Sequence, residues 1–495
     1  MAKRERMSSV DTAWLRMDTP TNLMMIVGVL MFSSPVDFAR LKRTLEFRLL
    51  HYRRFRQRVV RDASGAWWEL DPNFDIDSHV LRVSLPGKGA KSDLEAYVAG
   101  QVSQSLDHGK PLWQFQLVEN YHGGAALVAR FHHCIADGIA LMGVLHMLTD
   151  TSRDAPEEGG VTPWLDEDAG DGGEDDFWHR IITPMGDTLA NAIRLSGKAG
   201  VGSLQLLANP ERVFDYARFA AAIAGELAVL ATMPDDSPTR FKGKTGVAKR
   251  VAWSEPMPLG EIKAIGKVLD CSVNDILLSC VAGALRQYLV DKGDEVEGVE
   301  VRAFVPVNLR AAGEEQQLGN RFGLVALVLP VGIEHPFMRL YEVRRRMLEL
   351  KGSYQALVAL GILGVVGMCP LPLQQQVLSM LSDKGTAVMT NVPGPQQPLY
   401  LAGGRLSQQM VWVPQSGNVG MGVSILSYND GVQFGLMTDK KFVADPHTIV
   451  NRFAPEFEKL VLTLLLDPPE QVDTEPAAAA VAGKKRRTPR SRAAG

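Results

Sequence analysis

Apolar positions recur along this chain in two rhythms. Asp37 to His51 sets them at helical spacing, and Gly138 to Leu148 does the same. Ala125 to Phe131 (AALVARF) is instead a short continuous apolar run, the pattern of a strand buried on both faces. The alternation resumes after about Thr239. Helices are predicted over Leu259 to Val268, Ser272 to Leu289 and Tyr341 to Leu350, and strands over Arg302 to Val307 and Leu324 to Val331. Val423 to Met437 reads as a hairpin turning on Asn429-Asp430-Gly431, and Pro446 to Leu466 as a closing helix.

Two α/β regions are therefore separated by a different kind of sequence. An acidic, glycine-rich stretch ends near Asp176 and reads as a solvated linker. Phe177 to about Met233 is helical, with an alanine-rich end at Arg218 to Ile223, and Met233-Pro234-Asp235-Asp236-Ser237-Pro238 breaks it. The 495 residues are too many for one ordinary core. The division expected is an N-terminal domain over 1–165, a linker and helical segment over 166–240, a C-terminal domain over 241–470 and a disordered tail over 471–495.

Composition adds exclusions. At 46% hydrophobic and 22% charged, the chain is globular. The net charge of −3 conceals two blocks: ten acids without a base from Asp154 to Asp176, and six bases without an acid from Lys484 onward. The nearly neutral remainder argues against a nucleic-acid-coating protein. The tail is either a dispensable solvated end or an attraction to anionic lipid. Four cysteines without a CxxC pair fit a reducing compartment. MAKRERMSS is not followed by an apolar segment of the secretory kind, and the longest apolar run, Ala356 to Cys369, is short of the roughly 20 residues that span a membrane.

Candidate chemistry concentrates in Phe131-His132-His133-Cys134-Ile135-Ala136-Asp137-Gly138. Adjacent side chains at a strand end point to opposite sides, so one histidine can enter a cleft while the other packs. Histidine suits general-base work because its ordinary pKa lies near 6.5. Asp137 is placed to cap the helix that follows, and a capping aspartate beside two structural histidines is the plainer alternative. Rival motifs fail. The GKT of Gly243-Lys244-Thr245 lacks the upstream glycine of a P-loop, since Pro238 stands there; GxSxG and HExxH are absent. Three consecutive side chains, His132 to Cys134, cannot easily converge on one metal ion, so no metal is expected.

His132-His133-x-x-x-Asp137-Gly138 resembles the HHxxxDG signature of CoA-dependent acyltransferases, a group that includes the condensation domains of peptide synthetases. Companion blocks are similar to those of the bacterial wax ester synthase/diacylglycerol acyltransferase family: Pro111-Leu112-Trp113, Ser272-Val273-Asn274-Asp275 with Gly283-Ala284-Leu285-Arg286, Pro306-Val307-Asn308-Leu309-Arg310, Leu318-Gly319-Asn320 and Asn391-Val392-Pro393-Gly394-Pro395. Their order agrees from about Ser8 to Leu466. One departure stands at Met24-Met25-Ile26-Val27-Gly28, where Met25 replaces the family's usual histidine.

The resemblance implies an α/β fold of two chloramphenicol-acetyltransferase-like domains forming a pseudo-dimer, with an active-site tunnel between them. It implies transfer of a long-chain acyl group from acyl-CoA to diacylglycerol, a fatty alcohol or both, with acyl-CoA as substrate and no cofactor. His133 is then the general base, His132 its support, Asp137 a structural residue paired with Arg56, and Gly138 a point of close backbone approach. Asn274 and Asp275 are either a helix cap or support for the site; Trp113 is either core or tunnel wall. A cytoplasmic protein is expected, with peripheral association to the inner membrane or lipid droplets. Two alternatives keep the fold: another alcohol or amine acceptor, or a non-catalytic acyl-CoA- or lipid-binding protein.

Overall fold

A computed structural model describes residues 4–62, 65–157, 232–308, 320, 322–351, 359 and 371–466. The helical segment after Phe177, most of the acidic linker, the apolar run at 356–369 (save residue 359) and the basic tail lie outside the described residues.

The first layer grows around β1 (Met25–Phe32), whose eight residues MIVGVLMF are all buried. A strand apolar on both faces needs neighbours on both edges. One is β4 (Gly124–His132), antiparallel, with Met25 opposite His132 and Ile26 opposite Phe131. β3 (Trp113–Tyr121) and the parallel β2 (Val80–Val83) continue that side. The sheet is covered by α1 (Ser9–Met17), α2 (Phe38–Thr44), α3 (Lys91–Val102) and α4 (Gly138–Leu148). The helix expected over 37–51 runs as α2 and then a widened turn, Leu45–Leu49. There the buried Arg48 donates to the carbonyls of Met147 and Leu148 at the end of α4 and pairs with Asp150 at 3.1 Å.

The second sheet contains β5 (Lys249–Trp253), β6 (Val301–Asn308), β7 (Phe322–Leu329), β8 (Ala387–Pro393), β10 (Met421–Tyr428) and β11 (Gly431–Asp439), in the order β7-β6-β8-β10-β11-β5. Three long helices back it: α6 (Val273–Asp291), α7 (Pro336–Lys351) and α9 (Pro446–Leu466), with α5 (Leu259–Val268) leading into α6 and α8 (Leu371–Ser382) preceding β8. α7 begins five residues before the helix expected at Tyr341, because Pro336 can occupy a first helical position where no N–H bond is needed.

The C-terminal half lends a strand to the first sheet. β9 (Gly404–Trp412), from within the range expected for the C-terminal domain, joins the other edge of β1, with Gln409 opposite Leu30 and Val411 opposite Gly28. The first sheet is thus completed by residues nearly 380 positions downstream. Asn22 and Lys249 tie the junction again, Lys249 Nζ pairing with the fully buried Asp439 at 2.9 Å and reaching Asn22 Oδ1 at 3.4 Å.

Candidate active site

β4 stops at His132, a short loop follows, and Asp137 starts α4 by accepting from the Ala140 N–H at 3.0 Å. Backbone bonds fix this loop on both sides. The His132 N–H donates to the Leu112 carbonyl at 2.9 Å, and the His133 N–H to the Met24 carbonyl at 2.7 Å. The two rings meet different partners. His132 Nδ1 accepts from the Cys134 N–H at 3.2 Å. That nitrogen therefore carries the lone pair, and in the neutral ring the proton sits on Nε2. Nε2 faces Asp18 Oδ2 at 3.8 Å.

His133 lies in an aromatic slot. Its ring stacks on Trp14 with centroids 4.0 Å apart and an interplanar angle of 19°, and Phe322 of β7 stands 5.5 Å away. Asn320 crosses from the second half, where Nδ2 donates to the His133 carbonyl at 2.9 Å and to Asp11 Oδ1 at 2.7 Å. His133 is 2% exposed, and its Nδ1 has no hydrogen-bond partner among the described residues. Burial pushes its pKa down to about 4, against the opposing charge of Asp137. The imidazole is neutral at physiological pH and able to accept a proton. Burial also pushes the Asp11 carboxyl up, while Asn320 and the nearby Arg54 oppose the rise.

An apolar cavity abuts this loop. It holds roughly 480 Å³, its open mouth included, between β1, β4, α4 and β9, with Ile26, Leu30, Phe131, Gly138, Leu141 and Met410 in its wall. Phe131 and Gly138 bracket the histidine loop, so the cavity begins where the loop does. A second, more polar cavity of roughly 300 Å³ lies on the other side of β1, lined by Met25, Val27, Lys249 and Gln415 among others. The alternation of β1 side chains divides the two. Met25, the position departing from the family pattern, faces the second cavity, and its Sδ accepts from Arg130 at 3.6 Å.

The other expected residues take varied places. Trp113 is 1% exposed, donates to the Phe55 carbonyl at 2.7 Å and stacks on His79. It packs in the core and lines neither cavity. Arg56 ends a short 3₁₀ turn, Arg53–Arg56. Asp275 completes a capping box with Ser272 at the start of α6. Asn274 Oδ1 accepts from Asn391 Nδ2 at 2.6 Å, which joins that helix start to the proline-rich loop. Among the described residues neither asparagine bonds to the histidines. A Cβ at Gly138 would meet Val413 at 3.6 Å, an ordinary contact, so packing alone does not demand glycine there. Asp11, Trp14 and Asp18 were not singled out from the sequence. Their spacing of three and seven places them on one side of α1 and its cap, and that periodicity was the available signal. Among the described residues no group of three His, Cys, Asp or Glu side chains is placed to hold a metal ion.

The fold is that of the CoA-dependent acyltransferases. Among solved structures, the wax ester synthase/diacylglycerol acyltransferase from Marinobacter aquaeolei VT8 superposes with a TM-score of 0.65 at 20% identity, covering 93% of this chain and 99% of that one. The first condensation domain of the calcium-dependent antibiotic synthetase superposes at 0.59 with 14% identity, over 94% and 97% of the two chains, and so shares the two-domain fold. The wax ester synthase/diacylglycerol acyltransferase catalytic-domain model matches residues 7–277 and the family's C-terminal-domain model matches 318–461; the chain belongs to this family and is an O-acyltransferase. The "probable diacylglycerol O-acyltransferase tgs1" of Mycobacterium tuberculosis (strain ATCC 25618 / H37Rv) is 28% identical over 84% of this chain and 87% of its own length. The O-acyltransferase WSD of Acinetobacter baylyi is 24% identical over 80% and 83%.

Proposed function

We propose that this enzyme transfers a long-chain acyl group from acyl-CoA to diacylglycerol, a fatty alcohol or both, by direct attack with His133 as general base. The observation that carries this reading is a buried imidazole, its pKa lowered by burial, in a loop whose two flanks, Phe131 and Gly138, line an apolar cavity. The acceptor hydroxyl gives its proton to His133 as its oxygen attacks the thioester carbonyl carbon. The tetrahedral intermediate collapses with cleavage of the carbon–sulfur bond, and the imidazolium returns the proton to the departing CoA thiolate. No acyl-enzyme forms. Base catalysis of this kind supplies about 10²–10⁴-fold, and holding both substrates together supplies more.

In this reading His132 supports the loop, Asp137 holds it through the start of α4 and a pairing with Arg56, and Gly138 leaves room for substrate at the cavity wall. Asn274 and Asp275 shape the second half of the site through the α6 start. The relatives' names support diacylglycerol as an acceptor. Among the described residues no single helix is long and apolar enough to cross a membrane. The exposed Leu462, Leu465 and Leu466 at the end of α9 support contact with a lipid surface.

Release of free CoA from palmitoyl-CoA tests the activity, with diacylglycerol, with hexadecanol and with neither. Acceptor-dependent release that falls on the order of a hundredfold or more in His133→Ala is the expected result. An accumulating acyl-enzyme would refute direct attack. Absence of release with both acceptors would leave a different acceptor or a binding role.

A further inference from the structure

Asp18 faces the histidine loop through both of its carboxylate oxygens. It caps the C-terminal end of α1, and its Oδ1 accepts from the Met24 N–H at 2.7 Å. The carbonyl of that same Met24 accepts the His133 N–H at 2.7 Å. Its other oxygen, Oδ2, faces His132 Nε2 at 3.8 Å and His108 Nε2 at 3.4 Å. One side chain thus holds the strand residue that holds His133, and faces the proton-bearing nitrogen of His132. His132 Nε2 is buried and has no hydrogen-bond partner within bonding distance. The ring is 1% exposed, so water does not satisfy it easily. Asp18 Oδ2 is the acceptor this nitrogen faces.

We infer that Asp18 is the positioning carboxylate of the histidine loop, fixing His133 through Met24 and fixing the Nε2–H tautomer of His132. The tautomer matters because it leaves Nδ1 free to accept the Cys134 N–H, which pins the backbone directly after His133. The electrostatics of Asp18 suit this role. Although burial alone would raise its pKa, the facing His108 and His132 rings and the hydrogen bond from the Met24 amide hold it well below the usual carboxylate range. It stays charged across the working range of the enzyme. His108 is half exposed, lies outside the loop and faces the same oxygen from the solvent side. The inference rests on the reading of His133 as the base.

The test is Asp18→Asn in the full-length protein, with Asp18→Glu and His108→Gln beside it. The asparagine keeps an acceptor for Met24 but presents N–H donors to His132. The expected result is a kcat for acceptor-dependent CoA release lower by about ten- to a hundredfold, a KM for palmitoyl-CoA within about twofold and a near-native melting temperature. Asp18→Glu falls between Asp18→Asn and wild type, and His108→Gln stays within about twofold of wild type. Nitrogen-15 NMR of the His132 ring reads the tautomer without any turnover: Nε2–H in wild type, shifted toward Nδ1–H in Asp18→Asn. An unchanged tautomer in Asp18→Asn, or an equal loss in His108→Gln, overturns the inference. A changed tautomer in an enzyme whose His133→Ala variant is still fully active would instead overturn the reading of the base.

Discussion

In the proposed reading His133 serves as base through burial and stacking, and among the described residues no carboxylate bonds its Nδ1. That has a signed consequence for pH. In the unfolded chain the imidazole titrates near 6.5, whereas in the folded protein it does so at about 4. Between those values the unfolded chain binds the extra proton, so the stability this histidine permits is complete above about pH 6.5 and is lost as pH falls toward 4. The activity it carries persists further. The kcat/KM for CoA release should stay level from pH 8 down to about 5.5 and fall only below 5; a midpoint near 6.5 would show an exposed, ordinary imidazole. Asn320 supplies a second prediction. Removing its amide in Asn320→Ala leaves the buried His133 carbonyl without that donor. A loss of about 1–3 kcal/mol is expected in urea unfolding, together with lower turnover. Asn320 stood in the sequence as part of a block, but its partner Asp11 is 309 positions away. No local periodicity reports that pairing.

At the scale of elements, local signals predicted helices well where cap and period agree. α5 and α9 have the expected bounds, and α6 begins at the capping box that Ser272 and Asp275 announce. The hairpin of β10 and β11 turns where Asn429 and Asp430 adopt positive φ. What holds α6, α7 and α9 together was not visible. Arg339 of α7 bonds Glu456 of α9 and donates to the Ser279 carbonyl of α6, with both charges almost completely buried. Gly283 leaves the space for this pair, since a Cβ there would overlap the Glu456 carboxylate. Glu456→Leu should cost about 3–5 kcal/mol, because it strands a buried guanidinium. A fall in melting temperature with the KM for acyl-CoA unchanged would place that cost in the helical layer, away from the catalytic loop.

At the scale of the whole molecule, β9, lent to the first sheet, binds the halves into one unit. A chain ending at residue 157 would leave β1 as an apolar edge strand. Such a fragment should aggregate or remain unfolded by circular dichroism and limited proteolysis, while the full-length protein melts in a transition shared by both halves. Periodicity, caps and short motifs were enough to read the α/β class, the family, the histidine loop and most of the long helices from the amino-acid order. Each of these depends on residues close together in the chain. The folded chain was needed to show that residues 404–412 complete the first sheet, that Trp14 and Asn320 enclose His133, and that Trp113 packs in the core. The difference arises because burial and hydrogen bonding act between groups brought together through space. A chain read one window at a time carries their chemistry but not their meeting point.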